Sequence, residues 1–220
     1  MSTLLVLGGS GRTGVHVLQH AVDRGHRVRA LVRNPDAVDA PDGVELVTGT
    51  PENIDDIRRA AEGAEAVVST LNNARASDNP WAKPVSPPHF MTDATRSTVA
   101  VMDELGIRRL VATSSQGVAD DWAQMSPVMR TMVRFSNIRL GFEDHAGVDA
   151  LLRESDVDWT LARAVALTDK PQAGPIRAAL RGDEKPATWV NRADLAAFLL
   201  DVVEQGTWIG QAPLVWSAKA

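Results

Sequence analysis

The sequence predicts an α/β fold: a doubly wound, mostly parallel sheet with helices on both faces. Three observations carry that prediction. An apolar run, Leu4-Leu5-Val6-Leu7, ends in glycines and gives way to a helical pattern. Further apolar runs then alternate with segments of helical period, and no linker, repeat or low-complexity tract divides the chain. With 220 residues and 44% hydrophobic content, residues 1–220 can bury one substantial core and are expected to form one domain.

The first strand runs into Gly8-Gly9-Ser10-Gly11-Arg12-Thr13-Gly14. Gly8, Gly11 and Gly14 stand at a G-x-x-G-x-x-G spacing. The missing side chains let backbone approach a pyrophosphate closely while the amides of the following helix face its charge. An ordinary strand-to-helix turn also uses glycine, and the surrounding strand-helix-strand pattern is what favours the dinucleotide reading.

Val15, Leu18 and Val22 recur at helical spacing, and Gly25 stops that helix. Val28, Ala30 and Val32 alternate in a second strand, with Leu31 in a polar slot, as suits a strand covered on both faces. Arg33 closes it. A carboxylate at this corner would bond the ribose hydroxyls of NAD, whereas arginine suits the extra phosphate of NADP. Arg12 could reach the same phosphate from the glycine turn, since guanidinium groups bind phosphate in a planar, charge-assisted fashion. The plainer reading of both is a solvated loop arginine. The expected cofactor is NADP, as NADPH.

Val44 to Val47 reads as the third strand, Pro51 as the start of a helix carrying Ile54, Ile57 and Ala61, and Ala66 to Leu71 as the fourth strand. The strand order is expected to begin 3-2-1-4-5, with the ligand beyond the carboxyl ends of the strands. Thr70, Leu71 and Asn72 therefore belong to the expected cofactor rim. Asn73 to His89 carries Pro80, Pro84, Pro87, Pro88 and Trp81, and reads as a long loop, either a substrate-side cover or a surface excursion. Val99, Met102 and Leu105 share the face of the next helix, and Arg109 to Thr113 forms the fifth strand. Thr113, Ser114 and Ser115 leave it at the ligand edge, where hydroxyls can bond a carbonyl or a nicotinamide amide, or simply form a turn.

Ser126-Pro127 starts a helix whose Val128, Met129, Met132, Val133 and Phe135 form a wide apolar surface, read as core-facing, with a partner or an adaptable pocket as the alternative. Glu143 to Ser155 reads as a helix opened by His145. A lone histidine near a helix start is more often a surface or capping residue than a catalyst. Val157, Trp159 and Leu161 alternate in the sixth strand, and Arg163 to Asp169 lies at its carboxyl end. Short extended pieces at Ile176 to Leu180 and Ala187 to Val190 suggest a cap or hairpin over about 164–190. Asn191 and Asp194 mark the last helix start, and Pro213 to Trp216 is expected as an edge strand.

Composition excludes several functions. A formal charge of −5, with scattered basic residues, leaves no footprint for nucleic acid and favours a small-molecule substrate. The chain has no cysteine, which removes disulfides, thiolate catalysis and cysteine-held metals, and no metal site is expected. No apolar run approaches membrane-spanning length and no charged leader precedes the first strand, so no membrane association and a cytoplasmic location are expected. There is also no tyrosine.

Five segments together carry a family resemblance: Gly8 to Gly14, Leu31-Val32-Arg33-Asn34, Val111-Ala112-Thr113-Ser114-Ser115, His145 with Leu151 to Ser155, and Val190 to Leu195. Along nearly its whole length the chain resembles the atypical short-chain dehydrogenases/reductases of the NAD(P)-binding, NmrA-like kind, in particular the flavin reductase/biliverdin reductase B type. The resemblance implies a Rossmann-type domain, NADP binding and a monomer or small homo-oligomer. Ser115 matches that type's serine and His145 one of its histidines, which makes them the candidate catalytic residues. The second substrate-side histidine falls at Ala166, the usual Arg-Pro is Arg163-Ala164, and the usual Gly-Asp corner is Gly49-Thr50, placing Thr50 in a rearranged adenine contact. These departures point away from a linear tetrapyrrole. The tyrosine-lysine pair of the wider superfamily has no counterpart. The expected function is hydride transfer from NADPH to a small acceptor such as a flavin, quinone or activated carbonyl; the alternative is an NADP(H)-sensing NmrA-like regulator without turnover.

Overall fold

The computed structural model describes residues 1–170 and 175–218, so residues 171–174 of the expected cap lie outside the described residues. The chain opens with β1 (Thr3–Leu7), α1 (Gly14–Asp23), β2 (Arg27–Val32), β3 (Val44–Thr48), α2 (Ile54–Ala61) and β4 (Ala66–Ser69). It continues through α3 (Phe90–Leu105), β5 (Arg109–Ser115), a 3-10 segment at Ala119–Gln124, α4 (Pro127–Arg134), α5 (Ile138–Arg153) and β6 (Asp158–Ala164). β7 (Ala166–Thr168), β8 (Ile176–Ala179), β9 (Trp189–Asn191), α6 (Arg192–Gln205) and β10 (Leu214–Ser217) complete it.

The main sheet has the order β3-β2-β1-β4-β5-β6-β10-β8, and the start agrees with the order expected from the sequence. Every pairing in it is parallel except β10 with β8. Strands added after β1 go first to one side and then to the other, which opens a crevice beyond the carboxyl ends of β1 and β4. β1 is apolar throughout because both its faces are covered. Leu4 and Val6 join Val28, Val68, Val111 and Leu199 in the core under α1 and α6. Leu5 and Leu7 join Val67, Leu110, Leu161, Ile57, Met102 and Leu152 in the core under α2, α3 and α5.

Four expectations need correction. The Pro213 to Trp216 segment is no edge: β10 pairs with β6 on one side and β8 on the other, and Val215 and Trp216 are buried. The extended pieces at Ile176 and Ala187 form no hairpin, because β8 extends the main sheet while β9 pairs in parallel with β7 in a separate two-stranded sheet. His145 does not open a helix. α5 starts at Ile138, so His145 lies in its interior and is buried. The apolar surface of α4 is not core-facing either, with Val128 78% and Phe135 72% exposed and only Val133 buried, because α3 and α5 already cover that face of the sheet.

The 73–89 loop has more order than its prolines suggest. Ala76 N donates to Lys83 O at 2.9 Å and Val85 N to Ala74 O at 2.8 Å, making a narrow hairpin. Asn137, at the head of α5, directs its side-chain amide at Trp81 O (3.0 Å) and Ala82 O (3.1 Å) instead of capping its own helix. Among the described residues no helix is long and apolar enough to cross a membrane.

Candidate functional site

The glycine turn fits tightly against β4. Gly8 has φ +79°, and a Cβ there would stand 2.9 Å from the Thr70 carbonyl carbon. At Gly14 a Cβ would come within 2.1 Å of Gly8 O, so only hydrogen lets α1 start this close to the strand. Thr70 locks the arrangement, its amide donating to Leu7 O at 2.8 Å and its hydroxyl to Gly8 O at 3.0 Å. Gly11 N closes the turn onto Gly8 O at 2.9 Å. The amides of Ser10, Arg12 and Thr13 donate to nothing among the described residues, and Ser10 and Arg12 are exposed. Gly9 packs beside Leu18 and Ala30. Unspent amides before a helix N-terminus at the sheet's switch point make a cradle that fits a pyrophosphate.

Arg33 follows β2 directly, is exposed and meets no acceptor among the described residues. Arg12 is engaged. Its two terminal nitrogens fork onto Asp78 of the 73–89 hairpin at 2.9 and 3.0 Å, and that hydrogen bond and charge hold the Asp78 carboxyl below the usual range. Leu71 is half-buried and Asn72 exposed along the rim beyond β4. Thr50 is occupied differently, its amide donating to Asp56 Oδ2 at 2.9 Å.

At the end of β5 the pleat separates three hydroxyl residues. Ser114 and its register partner Arg163 point to the α5 side, while Thr113, Ser115 and Ala164 point to the α1 and α6 side. Ser114 is buried and its hydroxyl has no partner among the described residues. Ser115 donates to Gln116 O at 3.1 Å. His145 belongs to α5, so it and Ser115 approach the sheet edge from opposite faces, and Ser114 is the hydroxyl on the side of the histidine. Burial pushes the His145 imidazole down to about 4, against a smaller upward pull from Asp144, and the ring is neutral near pH 7.

Two buried carboxylates beside His145 had no signal in the sequence. Asp144 accepts from Asn73 Nδ2, Met91 N and Thr92 N, all at 2.8 Å, and from Thr92 Oγ1 at 2.6 Å. A residue of α5 thereby caps α3 and anchors the root of the 73–89 hairpin. Asp149 lies one turn on and holds Arg163 at 2.7 Å, while Asp120 grips the same guanidinium from the segment after β5 at 2.7 Å. Against the upward push of its own partial burial, the Arg163 hydrogen bond and charge keep the Asp120 carboxyl low. Arg163 thus ties together both walls that rise around the strand ends. Its place at the end of β6 was legible in the sequence; its partners, 14 and 43 positions away, were not.

A family profile described as NAD(P)H-binding matches residues 8–206. The chain is 28% identical over 163 residues to the photosystem II assembly factor Ycf39 of Trieres chinensis, covering 73% of this chain and 44% of the relative. It is 26% identical over 124 residues to a 3-beta-hydroxysteroid dehydrogenase of Mycolicibacterium neoaurum, covering 54% of this chain and 33% of the relative. The matched part thus spans less than half the length of these relatives. Among solved structures, ChuY, an anaerobillin reductase from Escherichia coli O157:H7, superposes with a TM-score of 0.81 over 100% of this chain and 98% of its own, at 20% identity, a likeness of fold.

Proposed function

The chain belongs to the NAD(P)H-binding family, and from that premise we propose that it is an NADPH-dependent oxidoreductase passing hydride to a small acceptor such as a flavin, a quinone or an activated carbonyl. The observation that carries this reading is the glycine turn at the switch point of the sheet, its amides unspent and the Arg33 beside it unpartnered among the described residues. Gly8 to Gly14 hold the pyrophosphate, Arg33 the 2′-phosphate with Arg12 as its second fork, and Thr70, Leu71, Asn72, Thr113 and Ser114 line the rim. Thr50 serves the adenine end by turning its hydroxyl from Glu52, because its amide is committed to Asp56.

The bound cofactor supplies hydride; the chain supplies orientation and exclusion of water. Ser115 places the acceptor from one side of the strand ends. His145, neutral on the other side, offers a hydrogen bond and no cationic acid, so the proton comes from water. Without a tyrosine, this arrangement favours acceptors whose reduced form takes its proton readily from solvent. NADPH oxidation followed by absorbance should therefore be faster with flavins and quinones than with unactivated ketones. Ser115→Ala and His145→Ala should each lower turnover by about tenfold to a hundredfold while cofactor still binds. Faster turnover of simple ketones, or no effect of either substitution, contradicts the assignment.

A second reading has one observation of its own: the similarity to a protein named as an assembly factor, in a chain without tyrosine. Under it the chain binds NADP(H) and acts through a partner. Tight NADPH binding with no turnover across flavins, quinones and aldehydes would favour that reading.

A further inference from the structure

α4 stands off the core and forms an open recess of about 220 Å³ with the segment that follows β5. Its walls are Trp122, Pro127, Arg130, Thr131, Arg134 and Phe135. Arg130 and Arg134 lie one helical turn apart, a spacing at which like charges repel, and neither guanidinium meets a carboxylate among the described residues. Arg139, on the next helix, shows the ordinary alternative, pairing with Glu143 at 2.7 Å. From Ser126 to Phe142 the sequence carries three arginines and no acidic residue, in a chain whose formal charge is −5. The facing 119–124 segment carries Asp120, committed to Arg163, and Asp121, buried and bonded by Gly117 N, so neither answers these arginines. On the aromatic side, Trp122 packs edge-on against Phe142, with ring centroids 6.3 Å apart, which fixes the indole as a wall.

An aromatic slot rimmed by two uncompensated guanidinium groups is complementary to a flat ring bearing a negative charge. Size narrows the choice. Pockets for drug-sized ligands run to about 300–1,000 Å³, so this recess of about 220 Å³ matches a single ring. We propose that the recess between α4 and the 119–124 segment binds a one-ring aromatic carboxylate, its ring between Trp122 and Phe135 and its carboxylate on Arg130 and Arg134. The site is separate from the glycine turn and Arg33, and the inference stands whether or not the chain turns over NADPH.

The test is a ligand-observed NMR and calorimetric titration of the whole protein with benzoate, with benzyl alcohol and acetate as probes lacking the charge or the ring. Benzoate should saturate at one site, with benzyl alcohol and acetate each weaker by about tenfold or more. Arg130→Gln with Arg134→Gln should lower benzoate affinity by about tenfold or more, and Trp122→Leu should lower it as well, while NADPH affinity stays unchanged. Both arginines reach solvent, so the double variant should melt with the parent; if Trp122→Leu misfolds, the double variant alone decides. Absence of benzoate binding, equal binding of acetate, or undiminished binding by the double variant overturns the proposal.

Discussion

The β5–β6 pair has an arginine at each end, and the two ends are held in opposite ways. Arg109, at the amino end, directs its terminal nitrogens at neutral acceptors: Asp158 O, Thr160 Oγ1 (2.9 Å), Val202 O (3.1 Å) and Thr207 O (2.9 Å). Burial pulls it down to about 10 against a smaller upward pull from the Asp158 charge, and it stays protonated near neutral pH. Arg163, at the carboxyl end, is more deeply buried and sits between two carboxylates, Asp149 of α5 and Asp120 of the segment after β5. The lower end is a staple within the sheet layer and its last helix. At the upper end the charge is balanced by the walls of the crevice, so wall position and strand-end electrostatics are one coupled unit.

The sharpest way to break this contrast is to remove each cation. Arg163→Met should destabilise by about 2–4 kcal/mol, because it leaves the buried Asp149 with only the half-exposed Arg153 as its cation. Arg109→Met should cost only about 1–3 kcal/mol, since it frees neutral carbonyls, some of them near solvent. Urea unfolding measures both, and equal costs would dissolve the distinction. Adding Asp149→Leu to Arg163→Met should recover part of the loss, as expected for a buried pair removed whole.

A second effect of the upper end depends on pH. His145 has a folded value of about 4 against an ordinary 6.5, so the unfolded chain binds more protons in between. Its contribution is therefore complete above about pH 6.5 and is lost as pH falls towards 4, in total about 3 kcal/mol. His145→Gln should flatten the stability profile in that window; an unchanged profile would show the ring to be solvated in the folded protein. The smallest effect belongs to the exposed Arg12–Asp78 fork. Asp78→Asn should change stability by less than about 1 kcal/mol. It should also tighten NADPH binding severalfold with NADH unaffected, because Arg12 then has no rival anion. A rise in affinity for both cofactors alike would assign the effect to loop movement instead.

The same division between ends explains what the sequence made legible. Gly8, Gly14, Arg33 and the order of the first strands are written in local spacing, because a turn, a helix start and a strand corner each involve neighbours in the chain. Asp144 capping α3, Asp149 holding Arg163 and Asn137 holding the 73–89 hairpin all join distant segments, and hydrophobic period reports which face of an element is buried without naming its partner. α4 misled for a related reason. Its apolar spacing is genuine, but α3 and α5 already occupy the sheet face it would cover. β10 misled in the other direction: four buried residues read like any short strand, and only the antiparallel pairing with β8 makes it internal.

The proposed preference for NADPH rests on Arg33, at the upper end of the sheet, reading the 2′-phosphate. Calorimetric titration of NADPH and NADH into the protein and into Arg33→Asp tests it most directly. The parent should bind NADPH more tightly, and the substitution should remove about 2–4 kcal/mol of NADPH binding while NADH affinity hardly falls. Equal affinity of the parent for the two cofactors, or NADPH binding that survives the substitution intact, would contradict the claim.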